Sequence, residues 1–307
     1  MVCHNCKTKP VIKLVNNNIS LCRTCFIKYF EQKVKNTISK YKLVDKNDNL
    51  GVACSGGKDS TTVLYMIHKI FGNRSDIKIT AIAIDEGIKG YRSIYLKQLE
   101  RFCKEHGITL KIYSFKKEFG KSLDDILKKN KMKPCSVCGV LRRYLLNKKS
   151  QELKFDKLVT GHNLDDEVQS VLMNQFRNNV NVSARLGPIT GVIKNKKFVP
   201  RVKPLYLLTD KEIKAYALLK DFVDGFVECP YSSDSYRGDI RNMLNEFEWH
   251  YAGTKHSIIL SFLEILPLLK LNYKDGSKIK YCGRCGEVCS SDQCNTCKLL
   301  DKLNLRK

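Results

Sequence analysis

From Leu50 onward the chain alternates short apolar runs with amphipathic stretches, and this alternation limits the folds that it can adopt. The runs LGVAC, KITAIAID and LKIYSF predict strands, and DSTTVLYMIHKIF and SIYLKQLERFCKEHG between them predict helices. A later pair, KLVTGHN and DDEVQSVLMNQF, repeats the order. Such alternation forms a parallel sheet with helices on both faces, and these sheets bind ligands beyond the carboxyl ends of their strands. The sequence therefore predicts an α/β fold with its site at that edge.

The first strand runs directly into the segment SGGKDS, which predicts a phosphate-binding loop. Gly56 and Gly57 let the backbone turn tightly against phosphate oxygens, and the next helix points its positive end at the same anion. Lys58 and the hydroxyls of Ser55 and Ser60 add donors. The GxxxxGK[ST] spacing of the Walker loop is absent, so this is a nucleotide loop of another kind.

Two sets of four cysteines stand at the ends of the chain with the spacing of structural zinc sites. They read C-x2-C-x15-C-x2-C and C-x2-C-x8-C-x2-C. Two short turns of this kind offer four thiolates tetrahedrally, about 2.3 Å from one Zn²⁺, and leave no position for a substrate. The sets are Cys3, Cys6, Cys22 and Cys25, and Cys282, Cys285, Cys294 and Cys297. Of the other thiols, Cys54 and Cys103 fit the core and Cys289 is a spare.

Three further cysteines, Cys135, Cys138 and Cys229, form an incomplete set that is one thiolate short of a closed zinc site. They fit a [4Fe–4S] cluster with one open iron, a redox set in which one thiol carries sulfur as a persulfide, or unrelated buried thiols. Arg142 and Arg143 follow the CxxC pair on a predicted helix. We expect these cations to lower the pKa values of the thiols.

The charge balance is strongly basic, since Lys+Arg exceed Asp+Glu by 55 − 31 = 24. A lysine-rich proteome gives such an excess, and so does nucleic-acid binding; we favour the second because a field this large attracts phosphate polyanions. No run approaches the roughly 20 consecutive apolar residues that span a bilayer. The start MVCHNCKTKP is polar and predicts no signal peptide, so we expect a cytoplasmic protein.

The motifs resemble those of a known family. SGGKDS resembles the PP-loop of ATP pyrophosphatases, and GHNLDDE resembles their second motif. Over nearly the whole chain, the order of cysteine module, basic helix, PP-loop, CxxC, GHNLDDE, late cysteine and second module resembles the tRNA 2-thiouridine synthetases of the TtuA, NcsA and cytosolic-thiouridylase type. The resemblance implies adenylation of the uridine C2 oxygen by ATP, release of pyrophosphate, sulfur insertion and departure of AMP. It also implies tRNA as partner, a homodimer, and sulfide or a ubiquitin-like thiocarboxylate carrier as sulfur donor.

The resemblance also suggests roles for individual residues. The expected ATP-binding residues are Ala53, Ser55, Gly56, Gly57, Asp59, Ser60, Ile84, Arg142 and Gly161. The expected catalytic residues are Lys58, Arg142, Asp166 and the cluster ligands Cys135, Cys138 and Cys229. Asp165 and Asp166 would hold Mg²⁺ beside the phosphates, or the pair only caps the next helix.

Two branches of this family differ in the uridine that they modify. DEGIKGYR, CGVLRR and SYRGDIR resemble the branch for wobble uridine 34, whereas RYLLN, ECPY and VKPLYLLTDKEI resemble the branch for T-loop uridine 54. We favour uridine 34.

Other functions fit the sequence less well. An amide-forming or lysidine-type ligase leaves three cysteines idle, and a cytidine-32 thiolase lacks the two end modules. A non-catalytic zinc-ribbon RNA-binding protein does not need an intact SGGKDS.

The predicted domain order has four parts. They are a zinc finger over 1–27, a basic linker helix over 28–48, the PP-loop domain over 49–272 and a zinc ribbon over 273–307.

Overall fold

The computed structural model describes residues 2–128, 131–192, 197–222, 225, 227–231, 236–274 and 280–305. The chain begins with an antiparallel hairpin, β1 (Ile12–Lys13) and β2 (Ser20–Leu21), which leads into helix α1 (Arg23–Lys40). The helix lies earlier in the chain than the predicted segment 28–48. It begins after Cys22 and ends before Lys42, whose left-handed φ of 49° turns the chain away.

The central domain is built on one sheet. Its strands are β3 (Asn49–Ala53), β4 (Lys78–Asp85), β5 (Thr109–Ser114), β6 (Lys157–Thr160) and β7 (Arg201–Val202). They are all parallel and lie in the order β5-β4-β3-β6-β7. The order reverses between β3 and β6, and a crevice for ligands opens at such a point. The predicted α/β fold is confirmed.

Helices cover both faces of this sheet. They are α2 (Lys58–Phe71), α3 (Arg92–Glu105), α4 (Phe115–Phe119), α5 (Leu123–Lys128), α6 (Pro134–Glu152), α7 (Leu164–Phe176), α8 (Val180–Ser183), α9 (Asp210–Leu219), α10 (Tyr236–His250) and α11 (Thr254–Lys274). One apolar core joins α1, α2, α3 and α9 to the sheet, a second lies under α4, α5 and α6, and a third joins α7, α10 and α11. Cys54 and Cys103 lie in the first core, as predicted.

The chain ends in a second small module, with β8 (Lys280–Tyr281), β9 (Val288–Cys289) and α12 (Asn295–Lys302). Leu299 and Leu300 of α12 pack against α6 in the second core. The module therefore supports α6, the helix that carries Cys135 and Cys138.

Helices α10 and α11 are absent from the elements that the sequence analysis predicts. In SYRGDIR the chain is helical from Tyr236, and residues 232–235 lie outside the described part. Within the described ranges no single helix is long and apolar enough to cross a membrane. Only α10 and α11 taken together meet that length and composition, and they are bent by 111°.

Gly161, directly after β6, lies against the start of α2. A Cβ at this position would lie 2.8 Å from the carbonyl carbon of Asp59 and 3.0 Å from the amide of Ser60. Only glycine therefore allows the end of β6 to approach the phosphate loop this closely.

We expect Gly161→Ala to lower the free energy of unfolding by about 1–3 kcal/mol, because the methyl group meets backbone that cannot rotate away. Gly225→Ala is the control, since no atom of the described residues lies within 4 Å of a Cβ there. Denaturant or thermal unfolding of both variants measures the effect. Equal stability of the two would contradict the close approach.

Candidate nucleotide and sulfur site

The loop between β3 and α2 is shaped by its own hydroxyls. The Ser55 amide donates to Ser60 Oγ at 3.1 Å, and the Ser60 hydroxyl donates to the Gly57 carbonyl at 3.0 Å. Gly56 has a φ of 83°, and a Cβ there would lie 2.3 Å from the carbonyl oxygen of Tyr95. The loop therefore curves at the N-terminus of α2, where free amides and the helix dipole favour an anion.

Buried Arg92, in the first turn of α3, ties this loop to the neighbouring strand. Its Nη1 donates to the Ser55 carbonyl at 2.6 Å, and its Nε donates to the Ile84 carbonyl at 2.9 Å. Ala53 ends β3 and Ile84 lies one residue before the end of β4, so these two predicted ATP-binding residues lie at the same edge of the sheet, on adjacent strands. The sequence analysis assigns no role to Arg92, although the residue lies within DEGIKGYR.

Lys58 lies between two carboxylates. Its Nζ is 2.9 Å from Asp59 Oδ2 and 2.5 Å from Asp210 Oδ1, and its side chain is 16% exposed. Burial works against its charge, but the two carboxylates raise the pKa of Lys58. Asp210 was missed because it lies 152 residues from Lys58 in the chain.

Asp166 both caps a helix and faces another carboxylate. Its amide donates to Asn163 Oδ1 at 3.1 Å, and its own carboxylate accepts from the Asn163 amide at 3.3 Å. Asn163 Nδ2 in turn donates to Asp59 Oδ1 at 3.1 Å. Desolvation in the crevice and the charge of Asp59 raise the pKa of Asp166 to about 6. Two carboxylates that disfavour each other's charge in this way suit a cation between them.

Asp165 has different contacts from Asp166. Its Oδ2 accepts from the Asp210 amide at 2.7 Å, and its Oδ1 pairs with Lys255 of α11. Its carboxylate thus links α7, α9 and α11, and the role of Asp165 in binding Mg²⁺ stays a prediction.

The three central cysteines lie on one side of the crevice. Cys135 and Cys138 occupy the first turns of α6, and Cys229 lies in the segment between α9 and α10. Cys138 and Cys229 pack against the same apolar core, which also includes Ile84. Cys135 Sγ donates to the Tyr231 carbonyl at 3.4 Å, two residues after Cys229.

The segment around Cys229 is held on both sides. Two residues before it, Val227 exchanges two hydrogen bonds with the Tyr95 hydroxyl, at 2.8 and 2.9 Å. Two residues after it, the Tyr231 hydroxyl donates to Asp124 Oδ1 at 2.8 Å. These tyrosines were missed, since only the fold brings their partners to this segment.

The expected lowering of thiol pKa values is wrong for two of these cysteines. Burial raises the pKa of Cys138 to about 11, and burial also raises the pKa of Cys229. Arg142 acts in the opposite direction, but it lies 3.5 Å from Glu86, whose carboxylate offsets its charge. An arginine on the same helix is therefore not enough to favour the thiolates.

Cations form a further wall of the site: Arg143 lies on α6 itself, and Arg201 and Arg237 come from β7 and α10. Arg143 and Arg201 have no carboxylate partner among the residues that the structure describes, and Arg237 lies 3.9 Å from Asp166. Desolvation, Arg143 and Arg142 lower the pKa of Arg201 to about 10. Desolvation and nearby cations lower the pKa of His162 to about 3. This wall attracts anions.

Both terminal sets have the geometry of single-ion sites. In each set the four sulfur atoms lie within 4.8 Å of one another. The distances from Cys6 to Cys22, 3.4 Å, and from Cys285 to Cys294, 3.6 Å, are near the roughly 3.8 Å that tetrahedral 2.3 Å bonds require. Cys289 lies outside the second set, as predicted.

The sulfur atoms of Cys135, Cys138 and Cys229 are not all within 4.8 Å of one another, as those of the terminal sets are, so the trio does not resemble a single-ion site. A cluster binds each thiolate through a different iron and therefore needs a wider spacing. Three thiols on an apolar wall, two of them one helical turn apart, fit such a group.

The fold, the loop and the crevice together define a PP-loop protein with a cysteine module at each end. A profile of the PP-loop domain family matches residues 27–245. The chain is 32% identical to the tRNA 2-thiolation protein NcsA of Haloferax volcanii, over 99% of both chains. It is 36% identical to the tRNA-5-methyluridine(54) 2-sulfurtransferase of Pyrococcus horikoshii, over 97% of this chain and 93% of that one.

A solved structure extends the comparison to three dimensions. The U34-tRNA thiolase NcsA from Methanococcus maripaludis, with its [4Fe–4S] cluster, superposes with a TM-score of 0.84 at 32% identity, covering 99% of this chain and 96% of that one. The chain belongs to the PP-loop family of tRNA 2-thiolation sulfurtransferases, which confirms the predicted family and enzyme class.

We expect Cys297→Ser to lose the metal of the C-terminal set and to lower the melting temperature, because Cys297 is fully buried within that set. Cys289→Ser is the matched control from the same module. Metal per chain by elemental mass spectrometry, with thermal unfolding, measures the difference. Equal metal loss in both variants would contradict the assignment of the four ligands.

The raised pKa of Asp166 predicts a pH dependence of stability. The unfolded carboxyl ionises near 3.9, whereas the folded one keeps its proton until about pH 6. The wild type therefore loses stability relative to Asp166→Asn as pH rises from 4 to 6, and the difference is constant above that. We expect on the order of 1 kcal/mol, because the side chain is 37% exposed and solvent screens the charge. Unfolding of both proteins across this range measures it, and a difference independent of pH would contradict the shift.

Proposed function

We propose that the protein catalyses ATP-dependent 2-thiolation of a tRNA uridine. The observation that carries the proposal is the position of the cysteine trio beside a phosphate loop, on one edge of the sheet. An amide-forming ligase needs only the loop.

ATP would bind with its phosphates on residues 55–60 and its adenine near Ala53 and Ile84. Lys58 would exchange a carboxylate partner for phosphate oxygens. Lys58 and Arg142 would then stabilise the charge that develops on the α-phosphate. Asp59 and Asp166 would hold Mg²⁺, which would offset the repulsion between the two carboxylates and neutralise phosphate charge.

The reaction has two substitutions. The C2 oxygen of uridine attacks the α-phosphate, and pyrophosphate leaves. Sulfur then attacks C2, and AMP leaves with the former carbonyl oxygen. A [4Fe–4S] group held by Cys135, Cys138 and Cys229 would supply an iron that binds sulfide. In the alternative, the outer sulfur of a Cys229 persulfide attacks C2, and a second thiol of the trio cleaves the S–S bond and forms a disulfide with Cys229. The cysteines fix where sulfur is delivered, and the apolar wall behind them limits the access of water.

The substrate must reach this crevice as an unstacked base. Arg143, Arg201 and Arg237 would hold the phosphates that flank it, because they form a cationic wall with few carboxylate partners. The excess of 24 positive charges and the basic helix α1 would attract the rest of the tRNA.

We propose uridine 34 as the target, on the strength of DEGIKGYR and CGVLRR, with uridine 54 as the alternative. The domain division stays a prediction; α1 begins inside the segment 1–27, with Cys25 in its first turn. Zinc in both end modules, a cytoplasmic location and the two candidate sulfur donors also remain proposals. So does a homodimer; Trp249 on α10 and Leu268 and Leu271 on α11 are exposed apolar side chains.

We expect Cys229→Ala to lose 2-thiouridine formation by at least about a hundredfold, because the trio cannot hold sulfur with two thiols. The assay is an anaerobic reaction with tRNA, ATP and sulfide, read by mass spectrometry of the nucleosides. Cys289→Ala is the control and keeps wild-type activity. Full activity of Cys229→Ala would refute the three-cysteine site.

The same assay with tRNA carrying cytidine at position 34 or at position 54 identifies the target. The proposal requires that only the substitution at position 34 abolishes the product.

A further inference from the structure

Glu86 is a buried carboxylate between two arginines. The residue is 3% exposed, and its Oε2 lies 2.9 Å from Arg92 Nε while its Oε1 lies 3.5 Å from Arg142 Nη1. The contact with Arg92 is too bent for a hydrogen bond, and Oε2 has no hydrogen-bond partner in the described part of the chain. Burial of a carboxylate that lacks a full set of hydrogen bonds lowers the stability of the fold, so we expect its charge to have a role in the site.

The two arginines lead to the two halves of the site. Arg92 is 4% exposed and is held by the carbonyls of Ser55 in the phosphate loop and Ile84 in β4. Arg142 is 47% exposed and lies on α6, one turn after Cys138. The row from Arg92 through Glu86 to Arg142 thus runs from the loop that would hold phosphates to the cysteines.

The two contacts differ in strength. Arg92 has two carbonyl partners besides Glu86 and cannot leave without breaking them. Among the described residues Arg142 has one ion pair, the 3.5 Å contact with Glu86, and about half of its side chain is in solvent. It is therefore the partner that can move when a stronger anion enters the crevice.

We propose that Glu86 is a positioning residue that holds Arg142 between the nucleotide loop and the cysteine trio until the phosphates of ATP take it over. This inference rests on the proposed function and goes beyond it. Glu86 competes with ATP for Arg142, and it returns the arginine to the same place after pyrophosphate leaves.

The competition has a signature that a merely structural role lacks. A fixed negative charge near the phosphates repels them, so Glu86→Gln should strengthen ATP binding, by about three- to thirtyfold. The same variant removes the ion pair that positions Arg142, so kcat should fall by about ten- to a hundredfold. Loss of fold or of loop geometry would instead weaken ATP binding and turnover together.

The experiment measures ATP affinity by titration calorimetry of the full chain with Mg²⁺–ATP, without tRNA or sulfide, and kcat by nucleoside mass spectrometry. Glu118→Gln is the matched control, because Glu118 also pairs with α6, through Lys149 at 2.8 Å, but at the end remote from Cys138. It should leave both quantities unchanged. Arg142→Gln lacks the cation for which Glu86 and ATP compete. In this background the further change Glu86→Gln should lower kcat less than twofold, since the two residues act as a unit.

Glu86→Asp covers the case in which the glutamine variant does not fold. It keeps the charge beside Arg92 but withdraws it from Arg142, so kcat falls while ATP affinity rises less than in Glu86→Gln. Weaker ATP binding by Glu86→Gln, or wild-type kcat in Glu86→Asp, would overturn the inference. A wild type that binds ATP but forms no 2-thiouridine would overturn the proposed function instead, which keeps the two failures distinct.

Discussion

The site depends on how closely the ends of two adjacent parallel strands approach each other. Gly161 after β6 lies against the backbone of Asp59 and Ser60 at the start of α2, at distances that exclude a side chain. This contact brings the GHNLDDE segment to the phosphate loop and sets Asn163 and Asp166 opposite Asp59. The reversal of strand order between β3 and β6 opens the crevice at the same place. The arrangement of the proposed nucleotide-binding residues therefore depends on the contact between Gly161 and the start of α2.

The two end modules stabilise the helices around the site, including α6, which carries Cys135 and Cys138. The C-terminal module packs its leucines on α6, and the same core includes Cys138, Cys229 and Ile84. Helix α1, whose first turn carries Cys25 of the N-terminal set, packs its Phe26 and Phe30 against α2 and α9. Metal binding in a four-cysteine module supplies folding energy to a segment too small to build its own core. The two modules thus support the helices that flank the crevice.

Local features of the site could be predicted from the sequence, and distant pairings could not. SGGKDS is contiguous, and each terminal set consists of two CxxC pairs. The chemistry of these residues can therefore be recognised from the sequence alone. The ion pair of Lys58 with Asp210 and the contacts of Arg92 with Ser55 join residues far apart in the chain, and only the fold reveals them. Helix α11 was missed because it contains Pro267 and its apolar residues do not keep to one face. The pKa of Cys138 was misjudged because neither its burial nor the Glu86 beside Arg142 is visible in the sequence.

The central claim is that three cysteines from two distant segments share one sulfur-delivering group. Anaerobic reconstitution with iron and sulfide, followed by iron and acid-labile sulfide analysis and visible absorbance, tests it most directly. The account predicts equal amounts of bound iron and sulfide in the wild type and in Cys289→Ser, and their loss in Cys229→Ser. Iron and sulfide retained in full by Cys229→Ser would contradict it.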